Sequence, residues 1–550
     1  MTDNATSRKG YLSLILHAHL PFVRHPEHER FLEENWLFEA ISETYIPLLQ
    51  VMENWQRDGM EIRLALTLTP TLCAMLQDPL LQSRYTRHLD QLIELVEKEI
   101  HRTLWEKPFH QVARFYHQRF CAIREYYGHC QGDLVGGFRK LQNQGRLEIM
   151  ACAATHALLP LLAQHPPSLR AQILIGRDYY RSCFGCEPRG IWLPECGYAE
   201  GIEAAIGEAD LSWFVVDSHG LMHARPKPRY GMFAPILTPQ GTAVFGRDPA
   251  SARQVWSRHE GYPGDPRYRD FYRDIGFDLD RDYLQPYLAS EDRRTFTGIK
   301  YHRITGPGTA KEVYERTAAV HAAAEHAQHF LETRMEQIGK LARVMDRPPL
   351  VVCPYDGELF GHWWYEGPEF LDFFVRKAYY DQNVFSFITP GDYLQCHPTN
   401  QVASPAASSW GEAGYWQVWL NEKNEWIYPH LRVAQERMTE IVNRFGNPPK
   451  SSSTEATKPP ALVDRALKQA AREVLLAQAS DWPFILRTDT SADYARRRVT
   501  EHLHQFGQIY AWLIAGAIDE PSLAQVEARD NIFPELDYKY WSDKPARDEG

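Results

Sequence analysis

The sequence lacks several features that would place it in a specialised class of protein. No segment approaches the roughly 20 consecutive apolar residues of a membrane-spanning helix. The first apolar run, 11–16, is short and is followed by histidines, so we interpret it as a buried strand and not as a signal peptide. Lys and Arg number 60 against 71 Asp and Glu, and the net charge of −11 argues against a nucleic-acid or membrane-surface binder, which needs a basic face.

Cysteine is also scarce, with nine residues in a chain of 550. An odd number of scattered cysteines is typical of reduced thiols, so we expect a cytoplasmic protein. Cys183 and Cys186 have CxxC spacing, but the sequence has no second pair to complete a zinc knuckle. We therefore do not expect a zinc knuckle at this pair.

Aromatic residues, by contrast, are abundant, at 12% of the chain with 15 Trp and 28 Tyr. Flat rings with a polar edge suit large cores, and they also suit clefts that bind sugars. One stretch, "PYDGELFGHWWYEG" (354–367), combines aromatics with Asp356, Glu358 and Glu366. This density of acids beside aromatic rings raises the question of which carboxylate has a chemical role.

Short apolar runs separated by longer amphipathic stretches predict an α/β protein. Near-continuous apolar strands that alternate with helices indicate a parallel sheet covered on both faces. Several runs end in polar residues, as functional side chains do at the carboxyl ends of the strands of an α/β barrel. We predict strands at 11–16, 62–68, 147–152, 190–194, 212–217, 243–247, 349–355 and 384–388, and helices at 35–57, 167–183, 309–344, 421–444, 460–478 and 493–515.

Two regions depart from this alternation. Residues 78–144 are polar and helical, which predicts an inserted helical subdomain, and strand patterns end near residue 400. We therefore expect a catalytic barrel over 1–77 and 145–395, and a helical C-terminal domain over 396–550 that completes the substrate cleft. The stretch 447–460, rich in Ser, Thr, Pro and Lys, predicts a mobile loop in that domain.

Two acids follow apolar strands. Glu195 comes after "IWLP" and Asp356 after "VVCPY". Carboxylates at the ends of different strands are what glycoside hydrolysis needs, one as nucleophile and one as general acid/base. Taken alone, Glu195 is equally compatible with a structural ion pair to an arginine.

The histidines of "LHAHLP" have two interpretations. His17 and His19 are two residues apart on a strand, so they point to the same side. Together with His156 and Asp356 they are feasible ligands of zinc or another divalent metal. Neutral imidazoles are equally good hydrogen-bond partners for sugar hydroxyls.

Tryptophans cluster in "SSWGEAGYWQVWLNEKNEW" (408–426). Trp416 and Trp419 share one face of a predicted helix, for which core packing is an adequate explanation. Trp410, in a loop bordered by Gly and Ser, is harder to explain as core. Further on, Asp481 in "SDWPF" lies at a helix end, where an Asp can also be an ordinary cap.

These segments together resemble glycoside hydrolase family 57. "HAHLPF", "THALLPLL", "GIWLPECGY", "PYDGELFGHWW" and "SSWGEAGYWQVWLNEKN" are similar, in this order, to the five characteristic segments of the family. Within the family the chain is most similar to the 1,4-α-glucan branching enzymes and their amylase-like relatives. The resemblance implies a distorted, TIM-like (β/α)7 barrel with a helical insertion and an all-helical C-terminal domain. Because eight strands are predicted, the resemblance leaves one of them, 384–388, outside the barrel.

The resemblance also implies roles for individual residues. It makes Glu195 the nucleophile and Asp356 the general acid/base of a retaining, metal-independent reaction. From position alone, and not from the resemblance, Glu358 is expected to tune Asp356 or to hold a neighbouring group, and Glu366 to anchor the start of the following helix. The remaining positions implied in binding α-glucan are His17, His19 and His156 beside the scissile bond, the substrate contacts Arg247, Gly264, Trp410 and Asp481, and Trp419 as an aromatic near the cleft.

One segment departs from the family pattern. Branching enzymes of the family carry a longer stretch before the "RDP" motif, which forms a catalytic loop, whereas residues 217–249 are short here. If that loop shields the intermediate from water, its shortening favours hydrolysis over transfer. The resemblance to branching enzymes makes formation of α-1,6 branches in a glycogen-type polysaccharide the expected activity, and the shortened segment keeps an α-amylase-type hydrolase or a 4-α-glucanotransferase as alternatives.

Two other classes of function are left open by the residues. A metal-dependent hydrolase would use His17 and His19 and would lose activity with a chelator. A silent glucan-binding protein would bind amylose without releasing product. The sequence predicts no nucleic-acid or membrane partner, and a monomer or small homo-oligomer.

Overall fold

The computed structural model describes residues 8–257, 260–288, 293–306, 308, 310–446 and 459–543. Residues 447–458 of the predicted mobile loop lie outside this part of the chain. Within it, every helix is too short or too polar to cross a membrane. The ten strands described are, in chain order, β1 (Gly10–Ala18), β2 (Leu64–Leu68), β3 (Leu147–Cys152), β4 (Gly190–Trp192), β5 (Trp213–Val216), β6 (Ile236–Leu237), β7 (Ala243–Gly246), β8 (Leu350–Asp356), β9 (Phe385–Phe387) and β10 (Gln401–Val402).

The helices fill the intervals between strands, and they dominate after β10. The α-helices described are α1 (Glu34–Ala40), α2 (Ile46–Arg57), α3 (Pro70–Gln77), α4 (Pro79–Arg102), α5 (Lys107–His129), α6 (Leu134–Asn143), α7 (Leu159–Leu162), α8 (Pro166–Phe184), α9 (Ile202–Glu208), α10 (Ser218–Met222), α11 (Pro249–Trp256), α12 (Ile275–Asp278), α13 (Arg281–Leu284), α14 (Arg316–Leu341), α15 (Gly367–Tyr380), α16 (Pro390–Cys396), α17 (Ile427–Ile441), α18 (Ala461–Ala477), α19 (Asp481–Thr488), α20 (Ala492–Ala515) and α21 (Glu520–Arg529). Two π-helical segments, Ile41–Tyr45 and Val442–Gly446, continue α1 and α17.

The chain divides into two compact units. As far as the ranges are described, the first unit comprises Met1–Leu66, Met75–Ile149 and Arg247–Cys396. The second unit comprises Thr67–Ala74, Met150–Gly246 and His397–Gly550. Each unit therefore contains β-strands and helices drawn from distant parts of the sequence.

The first unit is organised around β1. This strand pairs in parallel with β8, from Tyr11 opposite Leu350 to His17 opposite Asp356. Its first residues pair in parallel with β9, so the strand predicted at 384–388 hydrogen-bonds to β1. Because β1 and β8 run in the same direction, His17 and Asp356 lie at the same edge of this sheet.

The second unit contains strands in the order β10-β6-β7-β5-β4-β3. All pairs in it are parallel except β6 with β7, which are joined by the short connection 238–242. β4 and β5 are fully buried, as their uninterrupted apolar sequences indicate. Glu195 follows β4 directly, in the 3-10 turn Pro194–Cys196.

Two helices begin later than predicted. α14 begins at Arg316 and not at residue 309, because Val313 and Tyr314 pair through their backbones with residues 301–302.

α17 begins at Ile427 and not at residue 421, so Trp416 and Trp419 lie in the turns before it and do not share a helical face. The side chains of Asn421 and Asn424 explain the difference, because they hydrogen-bond to backbone groups of this segment. Such bonds compete with the helix for backbone donors and acceptors.

The C-terminal helices of the second unit enclose a network of buried charges. Arg498 and Asp530 form an ion pair of 3.0 Å, and both are inaccessible to solvent. Glu473, equally buried, accepts a bond from Gln469 and lies 2.7 Å from Nδ1 of His502. Burial lowers the pKa of His502 to about 3, so this imidazole is neutral. The network connects α18, α20 and the end of α21.

We predict that Arg498→Met lowers the free energy of unfolding by about 3 kcal/mol, because it leaves the buried Asp530 carboxylate short of a partner. The matched control is Arg465→Met. Arg465 is partly exposed and pairs with Glu520 and Glu527, so its loss costs less than about 1 kcal/mol. Urea unfolding followed by circular dichroism measures both values, and equal losses would contradict the prediction.

Candidate active site

Glu195 has an unusual backbone conformation. Its φ of 61° and ψ of 22° lie in the left-handed region, which residues with a side chain rarely adopt, and Cys196 follows with a φ of 50°. Such conformations cost free energy and persist only where the surroundings impose them, and they are concentrated at functional sites. The strained turn after β4 therefore identifies Glu195 as a candidate functional residue.

Both oxygens of the Glu195 carboxylate accept hydrogen bonds from side chains. Trp410 donates from Nε1 to Oε2 at 2.8 Å, and Ser480 donates from Oγ to Oε1 at 2.9 Å. His156 is buried, and its Nδ1 lies 2.9 Å from the Ser480 hydroxyl and 3.8 Å from Oε1. The Glu195 side chain remains 14% exposed, so it is oriented by its partners and still accessible.

The backbone holds the same residues together. The amide of Trp410 donates to the carbonyl of Glu195 at 3.0 Å. Next to it, Tyr198 and Ser408 exchange two backbone hydrogen bonds. Backbone hydrogen bonds therefore join the loop that carries Trp410 to the turn that carries Glu195. In the same unit, burial raises the pKa of the Cys152 thiol, and the charges of Glu195 and Asp481 act in the same direction.

Trp419 does not face solvent. It is buried, and its ring packs so closely on Gly411 that a Cβ there would lie 2.6 Å from the ring. Gly411 follows Trp410 directly, so we interpret Trp419 as a support for the loop that presents Trp410. Asp481 is the first residue of α19 and is partly exposed, while Ser480 occupies the N-cap position.

In the first unit, Asp356 ends β8 and is opposite His17 in the strand register. His17 is buried, and the rings of His17 and His19 stack with their centroids 5.8 Å apart. Burial and the neighbouring His19 hold the pKa of His17 well below its usual value. The backbone of Arg247 pairs with Val352 of β8 in an isolated parallel β-bridge. Gly264 is exposed at the end of the 3-10 turn Tyr262–Gly264, in which Tyr262 is buried.

Glu358 connects the turn after β8 with the end of β1. Its Oε1 accepts a bond from the Tyr45 hydroxyl at 2.5 Å and from the backbone amide of His19 at 3.0 Å. Burial raises the pKa of Glu358. Glu358 therefore positions the His19 backbone, which lies near the strand pair that carries Asp356.

Glu366 lies at the start of the following helix, as predicted, but the hydrogen bonds of its side chain are made to other segments. Glu366 occupies the N-cap position of α15, but its carboxylate makes no capping bond. It is instead buried and accepts bonds from the Tyr314 hydroxyl and the Arg269 amide. Burial raises the pKa of Glu366. Tertiary packing thus decides its role, which no local pattern reveals.

The residues predicted from sequence group as follows in the structure. Glu195, His156 and Trp410 are brought together in the second unit, and Asp356, His17 and His19 lie together in the first. Ser480 was missed, although it contacts both Glu195 and His156. The only signal for it is its place at a helix start beside Asp481, which is a common capping pattern.

Comparison with known proteins identifies two matching family models. The model described as "Glycosyl hydrolase family 57" matches residues 13–406. The model described as "1,4-alpha-glucan branching enzyme, C-terminal" matches residues 430–541. Together they account for most of both units.

Several individual proteins are similar over nearly the whole chain. The solved structure of the α-amylase AmyC from Thermotoga maritima is 42% identical, with a TM-score of 0.88, over 97% of this chain and 99% of that one. The branching enzyme of Pyrococcus horikoshii is 32% identical, with a TM-score of 0.85, over 98% of each chain. A 1,4-alpha-glucan branching enzyme of Thermococcus kodakarensis is 32% identical over 98% of this chain and 79% of its own length. These matches confirm the predicted fold class, a TIM-like α/β fold with a helical C-terminal region.

We predict that stability depends on the neutral state of His17. Because its pKa is depressed in the folded protein, only the unfolded chain takes up this proton as the pH falls below about 6.5, and the stabilisation is lost in acid. The difference in unfolding free energy between wild type and His17→Asn should therefore shrink by about 1 kcal/mol between pH 7.5 and 5.5. Urea unfolding at the two pH values checks this, and a constant or wider difference would contradict it.

Proposed function

The chain belongs to glycosyl hydrolase family 57, and on this premise we propose that it is a 1,4-α-glucan branching enzyme, a retaining transglycosylase that cleaves α-1,4 links and forms α-1,6 branches. The proposal rests mainly on the carboxylate of Glu195, which is held by Trp410 and Ser480 at the end of a strand. Hydrogen bonds from both sides stabilise an ionised, directed carboxylate, which is the form that a nucleophile requires.

In the proposed reaction, Glu195 attacks the anomeric carbon of an α-1,4-glucan. Asp356, as general acid, donates a proton to the leaving glycosidic oxygen, and a β-linked glycosyl-enzyme forms. Asp356 then acts as base and removes the proton from the 6-hydroxyl of an acceptor glucose, which attacks the same carbon from the other face. Two inversions leave the new α-1,6 link with the original anomeric configuration.

The remaining predicted residues are proposed to bind sugar. His17 remains neutral because of its depressed pKa, so it can donate to or accept from a hydroxyl without carrying charge. His19, His156, Arg247, Gly264, Trp410 and Asp481 are proposed as further contacts. Trp419 acts indirectly, because it is buried against the loop of Trp410.

Hydrolysis is the second candidate activity, and two observations favour it. The α-amylase from Thermotoga maritima has 42% identity to this chain, compared with 32% for the branching enzyme of Pyrococcus horikoshii. In addition, residues 217–248 contain the short helix α10 and the pair β6–β7, which a short turn connects, as their regular elements. An exposed intermediate would react with water in place of an acceptor sugar.

We further propose that the enzyme acts in the cytoplasm on a glycogen-type polymer, as a monomer or small homo-oligomer. All nine cysteines lie in the described part of the chain and are present as thiols, which is usual for proteins of a reducing compartment.

Incubation with amylose distinguishes the two activities. A branching enzyme produces chains that a debranching enzyme releases, with few new reducing ends, whereas an amylase produces reducing ends alone. We expect branches, and reducing ends without branches would contradict the proposal. Product analysis should include chain lengths before and after debranching.

The controls for this experiment are a variant and a chelator. Glu195→Gln keeps the size of the side chain but removes the nucleophile, so both products should fall by at least about 10³-fold. EDTA should leave the rate unchanged. Loss of activity with EDTA, restored by zinc, would favour a metal-dependent hydrolase that uses His17 and His19.

A further inference from the structure

A row of aromatic side chains, which are not among the candidate catalytic and sugar-binding residues, lies at the surface of the first unit. Trp363 is 53% exposed, Tyr272 67% and Phe277 46%. Phe271 and Phe296 lie beside them and are half-buried. We call these five residues the aromatic surface.

The five rings form a continuous set. Trp363 stacks on Phe271 at 4.7 Å between centroids and 27° between planes. Phe271 in turn contacts Tyr272 at 5.1 Å and Phe296 at 6.0 Å. Phe296 contacts Phe277 at 5.1 Å. A contiguous exposed apolar patch usually marks a binding surface, whereas apolar residues exposed singly are normal and need no explanation.

The backbone holds Trp363 in place. The amide of Trp363 donates to the carbonyl of Glu358, and the amide of Gly361 donates to that of Trp364, whose ring is buried. Gly361 has a φ of 132°, and a Cβ there would lie 1.9 Å from the carbonyl oxygen of Glu43. No other residue fits at Gly361 without displacing this turn.

The side chain of Lys300 contacts two of the other rings, those of Phe271 and Phe296. Lys300 is buried and donates to the carbonyl of Phe271 at 2.5 Å. Its ammonium group lies 4.8 Å from the ring centre of Phe271 and 4.1 Å from that of Phe296. These contacts fix the rings before any ligand binds, so little conformational entropy is lost on binding.

Polar groups border the aromatic surface. The imidazole of His362 packs edge-on against Phe271 and Trp363, and its Nδ1 lies 3.0 Å from the Glu43 carboxylate. Arg273 and Asp278 form an ion pair next to the exposed rings Tyr272 and Phe277 in the sequence. In these border pairs positive and negative groups offset each other, and both can form hydrogen bonds. Such a border beside flat rings suits an uncharged ligand that has both apolar faces and hydroxyl groups at its edges.

We propose that the aromatic surface is an additional binding site for an α-1,4-glucan chain. Each glucose unit offers an apolar face that stacks on an aromatic ring and hydroxyls that reach the polar border. This inference rests on the proposed function, since a polymeric substrate has many units beyond those that react. Binding of such units increases the local concentration of polymer at the enzyme.

The test is affinity electrophoresis in native gels that contain glycogen, with all variants in the Glu195→Gln background so that polymer is not consumed. Trp363→Ala should raise the dissociation constant for glycogen about three- to tenfold, the effect expected for loss of one ring stacking contact. Tyr272→Ala should act in the same direction, and Trp363→Tyr, which keeps a ring, should restore most of the binding.

The matched control is Trp105→Ala. Trp105 is 92% exposed in the connection between α4 and α5, and it is not part of the aromatic surface. It should leave glycogen binding unchanged. Unaltered binding in both Trp363→Ala and Tyr272→Ala, or an equal loss in Trp105→Ala, would overturn the proposal.

Two further measurements complete the test. The first distinguishes a glucan site from a contact between copies of the chain, and the second shows whether the additional site or the proposed function has failed. If analytical ultracentrifugation shows that Trp363→Ala dissociates an oligomer while glycogen binding stays unchanged, the surface joins copies of this chain and the proposal is wrong. Activity of the chain with Glu195 intact is measured on amylose in parallel. No product there would refute the proposed function, whereas product together with unaltered binding in the variants would refute only the additional site.

Discussion

The two hydrogen bonds between Glu195 and Trp410 are the constraint on which the functional interpretation depends. One bond joins their backbones and the other joins the indole to the carboxylate. They connect a strand-end turn with a loop that lies 215 positions later in the chain, and they explain how Glu195 retains a left-handed backbone. Ser480 and His156 complete the support from two other segments.

The stretch 354–367 shows how closely spaced acids acquire different roles. Asp356 ends the strand beside His17, Glu358 holds Tyr45 and His19, and Glu366 is buried against Tyr314. Both glutamates are buried, and burial raises the pKa of each. Their hydrogen bonds make them structural supports within the unit. The same turn exposes Trp363, so one short segment supplies a catalytic candidate, two supports and part of the aromatic surface.

Much of the fold could be predicted from local patterns, because apolar runs bounded by polar residues determine where strands begin and end. All eight predicted strands are present, but β6 and β10 have two residues each, too few to show periodicity. The start of α17 depends on side-chain bonds of Asn421 and Asn424 that propensity does not reveal. Ser480 lies 285 positions from Glu195, and only tertiary structure pairs them. The roles of Glu195 and Asp356 came from the family resemblance and from their places at strand ends.

Trapping the covalent intermediate tests the central claim, that Glu195 is the nucleophile, most directly. A fluorinated α-glucosyl fluoride slows the second step, so the glycosyl group accumulates on the attacking residue. Peptide mass spectrometry should then find one added glycosyl group on the peptide that contains Glu195, and none in Glu195→Gln. A glycosyl group on any other residue, or an active enzyme that releases product without labelling Glu195, would contradict this role for Glu195.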